Sequence, residues 1–137
     1  MLVFKLGGTA VLPDLPDYQQ PGFVVAEQFA SPQVVARGDE VFAGNCAICH
    51  GQGGAARATF PDLRRSPMIL DQAAFDNVVL HGALAARGMG AFADRLQAGD
   101  AEALRAYLVG QAQAARRAPA FGGPPPPPPP AEIHEGG

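Results

Sequence analysis

An all-α fold is predicted for this sequence, and three observations carry the prediction. Three stretches place apolar residues at helical spacing; two open on capping residues, Ser31 and Asp71, and the third on the acidic turn Asp100-Ala101-Glu102. The segments between them are rich in Gly, Pro and Ala. Only Leu2-Val3-Phe4-Lys5-Leu6, stopped by Gly7-Gly8, reads as a strand, and it has no partner strand in this sequence. Of 137 residues, 14 are proline and 17 glycine, and seven of the prolines form one run, so the ordered part is a single small domain whose core needs reinforcement.

Residues 9–30 carry Pro13, Pro16 and Pro21 with few helical spacings, and read as an extended linker crossing a surface. The first helix starts at Ser31-Pro32, where the serine can satisfy orphan amides and a proline at the first helical position costs little. It is expected to run to about Ala43, with Val34, Val35, Val41 and Phe42 on one side, and to end at Gly44-Asn45. Glycine inside a helix costs about 1 kcal/mol, so Gly38 is read as the place where another helix comes close.

The first helix delivers Cys46-Ala47-Ile48-Cys49-His50. At this spacing two thiols can each add to one vinyl group of a haem while the adjoining histidine reaches the iron, which makes His50 the proximal ligand. Cys-x-x-Cys also occurs in redox dithiols and in zinc sites. A tetrahedral zinc site needs two more ligands, and outside the motif the chain offers no cysteine and only His81 and His134. A redox dithiol is expected beside a βαβ pattern, which is not found. A covalently held haem c would supply the apolar bulk that a short chain lacks.

Gly51 to Ala58, mostly Gly and Ala, can lie flat along a haem edge. In Phe60-Pro61-Asp62-Leu63 the carbonyl of Pro61 is the expected acceptor for the second ring nitrogen of His50. Leu63 would pack on the haem face, and Arg64 or Arg65 could pair with a propionate. A second helix, capped by Asp71, is expected from Gln72 to about His81 with Phe75, Val78 and Val79 inward, closed by Gly82.

Three groups compete for the sixth iron position. Met68 follows Pro67 and is expected to fill a gap in the core. His81 sits at a helix end, where a solvated imidazole is common. Met89 lies between Gly88 and Gly90 beyond a complete helix, where the chain can come round to the opposite haem face; it is the expected distal ligand. The last helix is acidic at its start and basic at its end, Arg116-Arg117, with Leu104, Tyr107, Leu108 and Gln111 inward. Phe42 and Tyr107 are the expected pair where first and last helices cross beside Gly38. Seven consecutive prolines, Pro124–Pro130, form a stiff polyproline II spacer or tail.

The net charge of −3 and the scattered arginines exclude nucleic acid as a partner, and no stretch is long enough to span a bilayer. Haem c is attached after export, which places the protein in the periplasm. Met1 to Leu6 has too few apolar residues for a signal-peptide core, so an export signal and a longer protein are expected upstream.

The pattern Gly38-x-x-x-Phe42-x-x-x-Cys46-x-x-Cys49-His50-Gly51, then Pro61-Asp62-Leu63, Gly88-Met89 and Leu104-x-x-Tyr107-Leu108, resembles the class I c-type cytochromes. That resemblance implies a small monohaem fold with crossing N- and C-terminal helices. More narrowly, Val79-Leu80-His81-Gly82-Ala83-Leu84 with Gly88-Met89 is similar to the C-terminal cytochrome domain of type II quinohaemoprotein alcohol dehydrogenases. In that family a pyrroloquinoline quinone (PQQ) β-propeller precedes the haem domain, and Leu2 to Gly8 looks like its closing strand. Gly90 stands where such domains often have a proline. The resemblance divides the chain into residues 1–30, a strand remnant and linker from a preceding domain; 31–117, the cytochrome domain; and 118–137, a proline-rich tail.

It also implies a function. The domain would accept single electrons from a PQQ dehydrogenase domain and pass them to a soluble acceptor such as a cupredoxin or another cytochrome. PQQ and calcium would belong to the upstream domain alone, so this chain is not an enzyme by itself. A free-standing carrier would use the same haem without needing Leu2 to Gly8. A haem enzyme or gas sensor would need the sixth position open, which a methionine ligand denies.

Overall fold

A computed structural model describes residues 20–56 and 59–118, with Gly7 besides. The expected strand at Leu2–Leu6, the first part of the linker and the run Pro124–Pro130 lie outside the described residues, as do Arg57 and Ala58. The described residues form an all-α fold without a strand: α1 (Pro32–Asn45), α2 (Ala47–His50), α3 (Gln72–Val79) and α4 (Asp100–Arg117), joined by single 3₁₀ turns. None of these helices is long and apolar enough to cross a membrane.

The frame is the crossing of α1 and α4, the most extensive contact between any two elements. Ser31 Oγ accepts from the amide of Val34, and Pro32 occupies the first turn. Gly38 is buried because a side chain there would overlap the carbonyl oxygen of Ala103 and come within 2.8 Å of Tyr107 Cβ. One turn further, Phe42 and Tyr107 meet with ring centroids 5.3 Å apart, tilted by 42°. Burial and the nearby Asp39 carboxylate push the Tyr107 hydroxyl up to about 12. The start of α4 is fixed to α1 by Asp100, whose carboxylate accepts Arg37 Nε at 2.9 Å and Arg37 Nη2 at 3.1 Å, and also the amide of Gln97. Acidic residues in its first turn and Arg116-Arg117 in its last suit the helix dipole.

Local chemistry moves two helix ends from their expected places. α1 continues to Asn45, because the Asn45 side-chain amide donates to the Val41 carbonyl at 2.9 Å and so favours a further helical turn. α3 stops at Val79, two residues short of His81. There Leu80 and His81 amides both turn to the Asp76 carbonyl, and Gly82 takes a positive φ of 68° that reverses the chain. Asp71 caps α3 as expected, accepting from Ala74 at 2.7 Å. Met68 does not fill a core gap: it is 43% exposed on the turn Pro67–Leu70, where its neighbour Ile69 takes the buried position.

Residues 20–30 form neither helix nor strand and are mostly exposed, yet they are bound to the helices at several points. Val24 joins the hydrophobic core and its amide donates to the Arg64 carbonyl at 3.0 Å. Gln28 Nε2 donates to the Ala106 carbonyl, and Gln113 Nε2 to the Ala26 carbonyl. Arg105 lies 3.9 Å from the centre of the Phe29 ring. The packed body therefore begins ahead of residue 31.

Candidate functional site

Cys46 ends α1 in a right-handed conformation and α2 follows at once. The amides of Cys49 and His50 donate to the Cys46 carbonyl at 3.2 and 2.9 Å, so the motif is one continuous helical turn. Residues three and four apart share a helix face, which puts Cys46, Cys49 and His50 on one side of that turn. Ile48 faces away and is 93% exposed. Gly51 follows with φ 67° and ψ 172°, a backbone shape that suits glycine, and turns the chain back so that the Ala56 amide reaches the His50 carbonyl at 2.9 Å.

The loop so formed lies against the core. A side chain at Gly54 would come within 2.9 Å of Leu108 Cδ2 and 3.2 Å of Leu63 Cβ, so the loop, Leu63 and α4 meet without space for one. Cys46, Leu63 and Met89 all pack on the same core cluster. Met89 is half-buried in the loop that follows the turn Ala85–Arg87, where Gly88 adopts φ 94°. Its two rivals for the sixth position stand differently, Met68 and His81 both being exposed.

His50 is buried, and its Nδ1 is a buried polar atom without a hydrogen-bond partner. The Phe60 ring meets the imidazole edge-on, with centroids 6.1 Å apart, which brings the Phe60-Pro61 segment beside it. Burial lowers the basicity of the ring, and the Pro61 carbonyl acts in the opposite sense from outside good hydrogen-bond geometry. The net effect is downward, which favours the unprotonated ring, the form that binds a metal. Burial and the neighbouring Cys49 push the Cys46 thiol up to about 11. A dithiol that works by exchange needs a lowered value, so this environment is unsuited to thioredoxin-like chemistry.

The sequence offers Arg64 to a propionate, but in the structure it is paired within the protein. Its Nε and Nη2 hold both carboxylate oxygens of Asp62, at 2.8 and 2.7 Å, and Asp62 caps the turn Leu63–Arg65 through the Arg64 amide. Burial raises the Asp62 carboxyl, but the Arg64 pairing outweighs it and holds the group below the ordinary range. Asp62 and Phe60 are site-flanking residues to which the sequence alone assigns no role. The spacing Asp-x-Arg-Arg was the available signal for the first, since it matches a capped 3₁₀ turn with both cations on one side. A groove of about 630 Å³ beside α3 and the start of α4 is lined by Gln72, Asp76, Glu102 and Arg105 among others and touches none of the motif residues.

The family model described as cytochrome c oxidase, cbb3-type, subunit III matches residues 33–108, more than half of the chain and the whole span from α1 into α4. The chain belongs to this family of c-type cytochromes. It is also 34% identical over 110 residues to the quinohemoprotein alcohol dehydrogenase ADH IIB of Pseudomonas putida, which covers 80% of this chain and 16% of that protein. It is 38% identical over 111 residues to the dehydrogenase subunit of an alcohol dehydrogenase (quinone) of Acetobacter aceti, 80% of this chain and 15% of that one. A 1-butanol dehydrogenase (cytochrome c) of Thauera butanivorans is 32% identical over 114 residues, 82% of this chain and 16% of that one. The cytochrome thus spans about one sixth of the length of these relatives.

A cytochrome c domain implies haem c, and the residues present fit that group. Two unpaired thiols lie on one helix face with a buried imidazole that still has a ring nitrogen to satisfy. Apolar Leu63 and the thioether of Met89 lie on the same core.

Proposed function

We propose that this cytochrome is the electron-transfer domain of a quinohaemoprotein alcohol dehydrogenase. One haem c would be held through Cys46 and Cys49, with His50 and Met89 as its iron ligands, the Pro61 carbonyl as acceptor for the second ring nitrogen of His50, and Leu63 packed against it. The observation that carries this reading is the buried His50 with its unpartnered Nδ1, one helical turn from Cys46 on the face that also bears Cys49. When bound, haem supplies a one-electron iron couple, and a His/Met ligand pair raises its potential.

The chain's own residues do the rest. α1 and α4 cross at a site too tight for a side chain and so set the frame rigidly. Burial disfavours protonation of His50 and keeps water from it, and the Phe60-Pro61 segment limits its rotation. The thiol face, with Cys49 exposed beside Ile48, is the side on which a redox partner can approach. Arg64, already held by Asp62, contributes its charge near the site and reaches a propionate only with the hydrogen atoms Asp62 leaves free.

The electron donor in this reading is a PQQ- and calcium-containing β-propeller domain, and the acceptor a cupredoxin or another cytochrome in the periplasm. The names of the relatives support the donor, as does the match across 80% or more of this chain. The cytochrome domain comprises residues 31–117 together with the segment from residue 20 packed on them, residues 1–19 join it to the propeller, and residues 118–137 serve as a spacer or tail.

Supplied with an export signal and haem-attachment machinery, the chain alone should give a red cytochrome that no alcohol reduces, even with PQQ and calcium added. Fused behind a quinone-binding propeller, its haem should become reduced when alcohol is supplied. Reduction of the isolated chain by alcohol would contradict the assignment, because it would put the substrate site within these residues.

A further inference from the structure

Six contacts converge on the segment that carries Pro61. Asp62, with its side chain 7% exposed, binds Arg64 through both oxygens and Arg65 Nε at 3.3 Å. Arg65 lies with its guanidinium carbon 3.6 Å from the centre of the Phe23 ring, and Arg64 lies 5.1 Å from the same centre. Arg65 Nη1 also donates to the Pro21 carbonyl. The Val24 amide closes the set on the Arg64 carbonyl at 3.0 Å. On the other side of the segment, Phe60 stands edge-on to the imidazole of His50, whose Nδ1 is buried and unpartnered.

We infer that the strap Pro21–Val24 is a positioning device for the proximal histidine, with Phe23 as its key residue. The strap clamps Asp62, Arg64 and Arg65 from outside, and so fixes how the Pro61 carbonyl is presented to His50 Nδ1. The inference rests on the proposed role of His50 as iron ligand and adds the residues that tune it. A carbonyl accepting from the second ring nitrogen makes the imidazole a stronger electron donor, which stabilises ferric iron and lowers the potential. Loosening the clamp must then raise the potential. The strap lies close after residues 1–19 in the sequence, so a domain attached there could change the potential by moving Phe23.

Phe23 carries no charge, which makes it the informative substitution. In Phe23→Ala the midpoint potential should rise while the spectrum keeps its methionine-ligand band. The ring N–H of His50, which in the proposed holoprotein donates to the Pro61 carbonyl, should exchange with solvent about tenfold faster, the factor that goes with losing one ordinary hydrogen bond. Phe23→Tyr, which keeps a ring face for the guanidinium, should restore both values. Phe23→Leu, which keeps apolar bulk but lacks the face, should behave as alanine does. An unchanged potential in Phe23→Ala and Phe23→Leu overturns the inference. A fall overturns it too, since that is the sign expected if the strap merely keeps the cationic Arg65 near the haem.

The unaltered holoprotein gives a check that no folding defect can obscure. If one opening of the strap releases both groups, the Val24 amide and the His50 ring N–H should show the same protection against exchange, and independent protection would contradict the clamp. A wild-type protein without a low-spin haem would remove the functional reading itself, and the strap's role with it.

Discussion

Met89→Ala is expected to abolish the weak absorption band toward the red that marks sulfur bound to ferric haem iron, and to lower the reduction potential. The fall should be a sizeable part of the roughly 0.8 V that axial ligands command across haem proteins. Sulfur favours the ferrous ion, and water or a nitrogen ligand in its place does so less. Met89 is the candidate because it is half-buried on the core shared with Cys46 and Leu63, behind a turn that Gly88 closes in a left-handed conformation. Met68→Ala, at an exposed site on the turn Pro67–Leu70, should leave band and potential as they are. The reverse pattern, with Met68 essential and Met89 dispensable, would overturn the ligand assignment.

Phe42→Ala is expected to destabilise the fold by about 3 to 5 kcal/mol, the range for deleting a buried aromatic side chain. Phe42 is only 2% exposed, and its ring meets that of Tyr107 with centroids 5.3 Å apart at the crossing that holds the two long helices together. Chemical denaturation of Phe42→Ala, Tyr107→Ala and the double variant should reveal a coupling of about 0.5 to 1.5 kcal/mol, typical of aromatic pairs. Strict additivity would mean that the contact does not contribute.

Features readable from the sequence are those set by neighbours along the chain. Ser31 and Asp71 announce their helices because a short oxygen-bearing side chain can reach amides three residues on, and both do so. Gly38 was legible for a different reason: a glycine in a helix needs a cause, and the carbonyl of Ala103 supplies it. Helix ends were harder, since Asn45 prolongs α1 with its own amide while the Asp76 carbonyl captures two amides and cuts α3 short.

At the candidate site, the Cys-x-x-Cys-His spacing shows chemistry directly, because a helical turn dictates which groups share a face. The strap was read as a linker, and nothing local betrays its role. Phe23, Gln28 and Phe29 acquire partners only when Arg65, Ala106 and Arg105, 42 to 78 positions away, fold against them. Arg64 illustrates the same limit. Its charge was visible, but its pairing with Asp62 depends on the 3₁₀ turn Leu63–Arg65.

The claim on which everything else depends is that Cys46 and Cys49 hold a haem covalently with His50 beneath it. Alkaline pyridine treatment of the purified, matured protein tests it in one spectrum, read together with the mass of the intact chain. The account predicts one haem per chain, retained through acidic organic extraction, with the pyridine spectrum of a haem whose two vinyl groups are both saturated. A haem that extracts freely, or a chain whose mass shows no addition and whose two cysteines both react with thiol reagents, would contradict it.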